Sequence, residues 1–327
     1  MMIVDGLSMP VPERKWFQEW HDAKLGAVNA TVAVWENSHE TLALLAKWRL
    51  ALAQSKDIVE PAASVADIAR IAASGRTAVV LGFQNTSPVE HNLDLFGTFR
   101  ELGVCIMQLT YNLQNYIGSG YWEAKDTGIS SRFGKNALDE MAKVGILVDL
   151  SHCGERTTLD AIEMSPKPVS ITHANPREYV GRGVYGPGRF KTTEAIKALA
   201  KQGGVIGLTP NRNMTKNGAA TTLEEFGDMV AWVVERIGVD AVALGTDYCP
   251  GHPNSVRTWW RFARWSRENA PEVEMKIAPH EGWSDWMKTQ AGLHNVAAEL
   301  GRRGFSQAEA EKIMGGNWLR LFKQTFG

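Results

Sequence analysis

The chain has 327 residues, of which 44% are hydrophobic and 22% are charged, a composition typical of a globular protein with one large or two small domains. Its 35 lysine and arginine residues almost balance its 36 aspartate and glutamate residues, and no basic block occurs. Neither nucleic acid nor a membrane is therefore an expected partner, and we expect a small-molecule substrate.

The cysteines and the N-terminus indicate the compartment. Cys105, Cys153 and Cys249 are odd in number, far apart and without a CxxC motif, so neither a disulfide framework nor a zinc knuckle is indicated. The N-terminus reaches charge and proline too early for a signal peptide, and no run of about 18 apolar residues occurs. We therefore expect a cytoplasmic, soluble protein.

Short apolar runs rich in Val, Ile and Thr recur along the chain and are typical of β-strands. They cover residues 2–6, 27–35, 77–83, 104–110, 146–152, 168–173, 204–209 and 241–247. Segments with helical spacing lie between them, including 39–54, 132–144, 191–203 and 222–238. Eight strand–helix units predict an α/β fold, a closed (β/α)8 TIM barrel that forms one domain over residues 1–327. The alternative is an open doubly wound sheet, but its dinucleotide-binding form lacks the GxGxxG motif after the first strand.

A long irregular stretch, residues 249–286, follows the eighth run and is too long for a passive connection. It contains the tryptophan-rich sequence TWWRFARW at 258–265. One interpretation is a helix that covers the barrel, with its arginines reaching solvent. The other is a lid whose aromatic side chains cover the substrate.

Polar residues follow several of the predicted strands. In a barrel of this kind the active site lies at the carboxyl ends of the strands, so these residues are candidates for the site. They are Gln84 and Asn85 after the third run, Tyr111 and Asn112 after the fourth, and His152, His173 and Asp247 as the last residues of the fifth, sixth and eighth runs.

His152 and His173 end consecutive strands, whose axes lie about 4.8 Å apart. Both imidazoles can therefore reach one ion at zinc–nitrogen distances of about 2.0–2.1 Å. Two neutral imidazoles, water and a nearby carboxylate are what metal-assisted hydrolysis requires, and Asp247 could accept the proton from water. The alternatives are two buried histidines bonded to backbone carbonyls, and an aspartate that only turns the chain ahead of YCPG.

Four segments of the chain, in the right order, resemble a known family. They are RFGKNALDEMAKVGILVDLSHCGERTTLDAI with its DLSH, KPVSITHAN, VALGTDYCPG and IMGGNWLRLF. On these motifs the chain resembles the membrane dipeptidases (renal dipeptidase-like, peptidase family M19) of the amidohydrolase superfamily. The resemblance covers most of the chain.

The resemblance implies a metal-dependent hydrolase of the TIM-barrel type. Members usually bind two zinc ions and hydrolyse dipeptides or related small amides, and they often form dimers. An HxD pair after strand 1 holds one metal, a glutamate after strand 3 bridges both, and two histidines after strands 5 and 6 complete the second. An aspartate after strand 8 carries the proton. His152, His173 and Asp247 match the last three positions.

The remaining family positions differ in this chain. Leu7 and Met9 replace the metal-binding histidine and aspartate, and neither is a useful ligand for a hard or borderline cation. Gln84 replaces the bridging glutamate and cannot share charge between two ions. We therefore expect no second metal site. The sequence predicts one divalent metal, with zinc favoured over manganese or iron, held by His152, His173 and the carbonyl oxygen of Gln84.

Three further residues are predicted to act on the substrate. Tyr111 replaces a family histidine that helps to polarise the substrate carbonyl, and we expect it to donate to the developing oxyanion. Asn112 is predicted to bind substrate. Arg189 lies near the position of a family arginine that binds the substrate carboxylate, which a guanidinium pairs in bidentate fashion. Arg182 is the alternative for this role, and a plain surface arginine is another.

These residues predict a metal-dependent hydrolase of a small amide, dipeptide-like or cyclic amide metabolite, with ordinary dipeptides not expected as substrates. Two alternatives remain at this point. One is a lactonase or deaminase of the same superfamily, because a fold does not determine its chemistry. The other is a non-catalytic descendant of a dipeptidase that binds a small metabolite. A homodimer is implied by the resemblance alone.

Overall fold

The structure is a computed structural model that describes residues 1–181, 186–262 and 283–327. Arg182 and residues 263–282 lie outside the described residues. The lid and covering-helix interpretations of 249–286 therefore stay predictions.

The strands form one parallel sheet that closes on itself. Their ring order is β1, β2, β4, β5, β6, β7, β8, β9, and a parallel bridge between Ser8 and Tyr248 joins the two ends. The strands are β1 Val4–Ser8, β2 Ala27–Ala33, β3 Val59–Pro61, β4 Thr77–Phe83, β5 Val104–Gln108, β6 Leu147–Asp149, β7 Ser170–Ile171, β8 Val205–Leu208 and β9 Val242–Leu244. The predicted (β/α)8 barrel is confirmed, and the open sheet is wrong.

Two details of the strands differ from the prediction. The short strand β3 was not predicted, because its three residues include a glutamate and a proline, and it pairs only with the first residues of β4. Strands β6 and β7 end earlier than their apolar runs. The chain leaves the ladder there because the side chain of Asp149 bonds to the backbone ahead of it.

Helices lie between and after the strands, and the four predicted helical segments match α2, α5, α8 and α9. The helices are α1 Arg14–Asp22, α2 Ser38–Gln54, α3 Val65–Ala73, α4 Leu95–Glu101, α5 Phe133–Val144, α6 Glu155–Met164, α7 Arg177–Val180, α8 Thr193–Gln202, α9 Leu223–Ile237, α10 Asn254–Phe262, α11 Leu293–Arg302, α12 Gln307–Glu311 and α13 Asn317–Thr325. Capping boxes begin α2 at Asn37 and α9 at Thr222. No helix in the described ranges has the length and apolar character needed to span a membrane.

A buried carboxylate joins the two ends of the sheet. Asp5 on β1 accepts hydrogen bonds from the backbone N–H and the hydroxyl of Thr246, just after β9, at 2.8 and 2.6 Å. The side chain of Gln290 donates a further bond of 2.6 Å, which ties the C-terminal region to the same point. Burial raises the pKa of Asp5 to about 6, and these hydrogen bonds oppose that rise. Asp5 therefore stabilises the closure of the barrel rather than contributing a metal ligand.

Glycines in the strands allow the barrel to pack closely. A Cβ atom at Gly207 on β8 would lie 2.1 Å from the carbonyl oxygen of Thr172 and 2.9 Å from the ring of Trp318. Trp318 itself donates to the carbonyl of Leu244 at 2.9 Å and is fully buried. The space at Gly207 is thus occupied by rigid neighbours.

We expect Gly207→Ala to lower the free energy of unfolding by about 3 kcal/mol, because backbone and a buried ring must move to admit the methyl group. Gly301→Ala on α11 is the matched control, since a methyl group at that position would meet no atom within 4 Å. Its stability should stay the same or rise by up to about 1 kcal/mol, because alanine favours helix. Urea denaturation of both variants measures the difference. Equal stabilities would contradict this account of the barrel packing.

Candidate active site

The structure brings the two predicted histidines together. His152 follows β6 and His173 follows β7, and both side chains are buried. Their Nε2 atoms lie 3.0 Å apart. This pair is the centre of the candidate active site.

A single carboxylate holds the backbone that carries the pair. Oδ1 of Asp149 accepts from the N–H and hydroxyl of Ser151, at 3.2 and 2.7 Å, and from the N–H of Thr172 at 2.7 Å. Its Oδ2 accepts from the Thr172 hydroxyl at 2.8 Å. Burial raises the pKa of Asp149, and these hydrogen bonds oppose the rise by favouring the charged form. The residues immediately before both histidines are therefore bonded to one anion, an arrangement we call the Asp149 clamp.

The hydrogen bonds assign the protons of both imidazoles. The Thr172 hydroxyl donates its hydrogen bond to Asp149, so its oxygen accepts from Nδ1–H of His173 at 2.9 Å. The carboxamide oxygen of Asn112 accepts from Nδ1–H of His152 at 2.7 Å. Both Nε2 atoms then carry lone pairs, and these point into the same space. The assignment follows from the network of donors and acceptors.

This arrangement fits a divalent transition metal. A metal-binding histidine normally donates its other ring nitrogen to an oxygen, as His152 and His173 do here. Both rings must also be neutral to ligate. Burial, followed by the positive charges of Arg189 and Lys191, holds the pKa of each histidine well below its usual value.

Arg189 lies directly at the pair and is almost fully buried. Its Nη1 donates to the carbonyl of Ser151 at 3.0 Å, and its Nη2 donates to the carbonyl of His173 at 3.1 Å. Nη2 also lies 3.2 Å from Nε2 of His152. The predicted carboxylate-binding arginine thus places a fixed positive charge beside the lone pairs.

Asp247 follows β9 with a backbone φ of 55°, a left-handed conformation uncommon outside glycine. The amide of Asn211 donates to its Oδ2 at 2.8 Å. Burial raises the pKa of Asp247 to about 6, and the charge of Arg189 and the Asn211 hydrogen bond oppose the rise. A carboxylate with that pKa is suited to accept a proton near neutral pH.

Met9 and Gln84, at positions where the resemblance implies ligands of a further metal, do not form a metal site. Gln84 donates its amide to the hydroxyl of Thr31 at 3.0 Å and contacts the sulfur of Met9 at 3.3 Å. Met9 belongs to an apolar cluster with Trp35 and Tyr111. Among the described residues no group of three or more His, Cys, Asp and Glu side chains is arranged to hold a metal. The side-chain contacts of Gln84 are with Thr31 and Met9, so its predicted role as a ligand stays a prediction.

Tyr111 and Asn112 both contact His152. The ring of Tyr111 stacks on the imidazole with centroids 4.0 Å apart and an interplanar angle of 19°. Asn112 accepts from His152 and donates its amide to the carbonyl of Arg261 at 3.0 Å. Both polar ends of Asn112 therefore bond to the protein, which favours a role in positioning His152 over the predicted contact with substrate.

Sequence reasoning missed Lys191, a buried lysine behind the pair. Its ammonium group donates to the carbonyl of Cys153 at 2.8 Å and to the hydroxyl of Thr158 at 2.9 Å. Burial lowers its pKa to about 8. Within GRFKTTEAI it resembles an ordinary surface lysine before a helix, so the sequence offered no signal. The Asp149 clamp was also missed, although Asp149 and Ser151 lie within the DLSH motif.

Comparison with known proteins identifies the family. The model of the family described as Membrane dipeptidase (Peptidase family M19) matches residues 11–261. The chain belongs to this family. A solved structure similar in fold, a metallo peptidase from Rhodobacter sphaeroides bound to a phosphinate mimic of the dipeptide L-Ala-D-Ala, superposes with a TM-score of 0.78 over 99% of each chain. At 14% identity, this likeness concerns the fold alone.

Two other relatives are closer in sequence. An amidohydrolase from Pseudomonas aeruginosa is 30% identical, with a TM-score of 0.90 over 100% of this chain and 97% of its own. Dipeptidase tcpJ from Claviceps purpurea is 28% identical over 271 residues, which are 82% of this chain and 56% of that protein. The chain thus spans little more than half the length of this curated dipeptidase.

We expect Asp149→Asn to lower the free energy of unfolding by about 3 kcal/mol, because the negative charge that the surrounding donors stabilise is lost and the new NH2 group, which replaces one carboxylate oxygen, faces a donor and cannot accept its hydrogen bond. Thr172→Ser is the matched control. It keeps the hydroxyl of the clamp and should lose about 1 kcal/mol, for one buried methyl group. Urea denaturation compares the two. If Asp149→Asn were no less stable than Thr172→Ser, the clamp would not have the role assigned here.

Proposed function

We propose that the protein hydrolyses a small amide, dipeptide-like or cyclic amide substrate with the help of one divalent metal. The observation that carries this proposal is the pair of Nε2 lone pairs of His152 and His173, which converge while both Nδ1–H groups are bonded elsewhere. Membership of the M19 family supports it. Zinc is the first candidate because it favours imidazole ligands and an open position, and manganese or iron is the alternative.

The protein's own groups have distinct roles in this proposal. When bound, the metal would supply Lewis-acid polarisation of the substrate or of water. Asp247 accepts the proton of the attacking water on Oδ1, since Asn211 occupies Oδ2, and returns it to the leaving nitrogen. Tyr111 shields one face of His152 and keeps the ring in place. The two histidines stay neutral because burial and the neighbouring cations disfavour their protonation.

Arg189 is proposed to bind a carboxylate of the substrate. A guanidinium has five N–H donors, and Arg189 directs three of them to Ser151, His173 and His152. Its bond to Nε2 of His152 competes with a metal for the same lone pair. Metal uptake would therefore release this N–H and make it available to a substrate carboxylate.

A second candidate function, binding of a small metabolite without catalysis, is favoured by one observation. The Arg189 guanidinium already satisfies the lone pair of His152 that a metal would use. In that case Arg189 takes the place of the metal as the fixed cation. The two candidates differ in what the protein holds after purification and in whether it turns substrate over.

We expect the protein, purified without chelators or a histidine tag, to contain one equivalent of metal by inductively coupled plasma mass spectrometry. His152→Ala and His173→Ala should each lose it, because either change removes half of the donor pair. His39→Ala, at an exposed position on α2, is the matched control and should keep it. Absence of metal from the parent, even after incubation with zinc or manganese, would remove the hydrolase proposal in favour of the binding protein.

Substrate class is tested by incubating the metal-loaded protein with dipeptides, cyclic amides, lactones and aminated heterocycles in parallel. Hydrolysis of amide bonds that stops in Asp247→Asn is the expected result. Turnover of lactones or deamination without amide hydrolysis would replace the proposed reaction by another chemistry of the same superfamily.

The pH dependence of turnover follows from Asp247. Because burial raises its pKa to about 6 and the base must be ionised to accept a proton, kcat/KM should rise with pH through about 6 and then level off. Asp247→Asn should lose at least about 100-fold in kcat and show no such limb. A parent profile that is flat between about pH 5 and pH 8 would exclude Asp247 as the base.

A further inference from the structure

Helix α2 is apolar on its inner and its outer face. Its inner face packs on the barrel through four buried residues, including Trp48. On its outer face Leu42 is 47% exposed and Leu50 is 60% exposed. In the described part of the chain only five large hydrophobic side chains are exposed, and two of them are on this one helix. A helix that is apolar all round is normally covered all round, so its composition indicates that the outer face also has a partner.

The outer face of α5 shows what a solvated helix of this protein carries instead. Two ion pairs within the helix, Lys135–Asp139 and Lys143–Glu140, lie on it. Only three of the 17 residues of α2 carry a full charge. The two helices therefore differ in the chemistry that they present outward.

The outer face of α2 has the same residue types on both sides of its midpoint. Leu42 and Leu50 each lie four residues from Ala46. Ala46 and Ala53 are seven residues apart and so lie nearly in line along the helix, with the leucines on either side of that line. Small side chains on this line allow a second helix to approach closely, and the leucines fill the space beside it.

We propose that the outer face of α2 binds the same face of a second copy of this chain, antiparallel and around a two-fold axis at Ala46. In such a contact residue i meets residue j and residue j meets residue i. Leu42 of each copy then packs against Leu50 of the other, and the two Ala46 side chains meet at the axis. The proposal concerns assembly and does not rest on the proposed hydrolase function.

The charges at the two ends of α2 have opposite sign, as an antiparallel pair requires. At the first residue of the helix, Ser38 donates its backbone N–H and its hydroxyl to Glu90, both at 3.3 Å. Arg49 and Lys56 are exposed at the other end. Antiparallel pairing places the acidic end of each copy against the basic end of the other and opposes the helix dipoles, whereas a parallel pair would bring like charges together.

Arg49 has a specific counterpart in this arrangement. In a pair centred on Ala46 it faces Ala43 of the second copy, and Glu40 lies three residues, about one helical turn, before Ala43. Two equivalent Arg49–Glu40 pairs thus form, one on each side of the axis. Because exposed ion pairs contribute little affinity, their effect is to select the antiparallel orientation.

The contact is small. The 17 residues of α2 span about 25 Å, so one helix pair buries less than the roughly 800 Å² per partner of a standard interface. We therefore expect a dimer that dissociates on dilution.

Ala46→Cys tests the position of the axis. Helix axes about 8–10 Å apart, with Cα atoms about 2.3 Å from each axis, bring the two Cα atoms at position 46 within about 6 Å, close enough for a disulfide. The three native cysteines are buried. Oxidation of the full chain with diamide should convert Ala46→Cys to a covalent dimer on a non-reducing gel. Ala308→Cys, at an exposed position on α12, is the matched control and should stay monomeric.

Sedimentation velocity tests the contacts. The parent should show a monomer–dimer equilibrium, and Leu50→Glu should weaken it by at least about tenfold, because a leucine leaves the interface. Glu40→Arg and Arg49→Glu should each weaken the dimer, and their combination should restore it. Thermal melts establish that each variant folds.

A parent that stays monomeric up to about 0.5 mM, a concentration that populates even a weak dimer, overturns the proposal. So does a dimer whose affinity is unchanged in Leu50→Glu, or the failure of Ala46→Cys to cross-link. Flotation with vesicles of phosphatidylcholine and phosphatidylserine tests the other occupant. If a protein that does not dimerise binds them and Leu50→Glu abolishes that binding, the face belongs to a membrane instead. None of these readouts uses metal or substrate, so failure here is distinct from failure of the proposed hydrolase.

Discussion

The candidate site depends on the bonds that Asp149 makes with the residues before its two histidines. The carboxylate accepts from the backbone N–H and the hydroxyl of both Ser151 and Thr172. Because these residues directly precede His152 and His173, one anion places both side chains. The carboxylate also accepts the hydrogen bond of the Thr172 hydroxyl. The hydroxyl oxygen must then accept from Nδ1–H of His173, which determines the tautomer of that histidine. The backbone positions of both histidines and the tautomer of His173 thus depend on the same carboxylate, that of Asp149.

The charges around His152 and His173 are consistent with the proposal of one metal ion in place of two. Two carboxylates, the buried Asp149 and the half-buried Asp247, are accompanied by two buried cations, Arg189 and Lys191. Their charges cancel, so little negative charge is left to stabilise two dications. In this chain Met9 and Gln84 stand where the resemblance places an aspartate and a glutamate. The loss of those carboxylates and the proposed loss of one metal are therefore mutually consistent.

Much of the barrel could be predicted because apolar runs mark strands directly, and the polar residue after each run then lies at the same end of the barrel. His152, His173 and Asp247 were selected as candidates in this way, and the structure places both histidines side by side. Lys191 could not be predicted because nothing in its local sequence indicates that its side chain is buried. The hydrogen bonds of Asn112 could not be predicted because they depend on a left-handed backbone angle at that residue. Strand β3 was missed because its three residues are too few to show an alternating apolar pattern.

The central claim is that a single metal binds between His152 and His173 and none binds beside Gln84. Anomalous diffraction at the zinc edge from zinc-soaked crystals tests it most directly. We predict one peak within bonding distance of both Nε2 atoms, with the Arg189 guanidinium moved off His152. A second peak beside Gln84, or no peak at the histidine pair, would contradict the account.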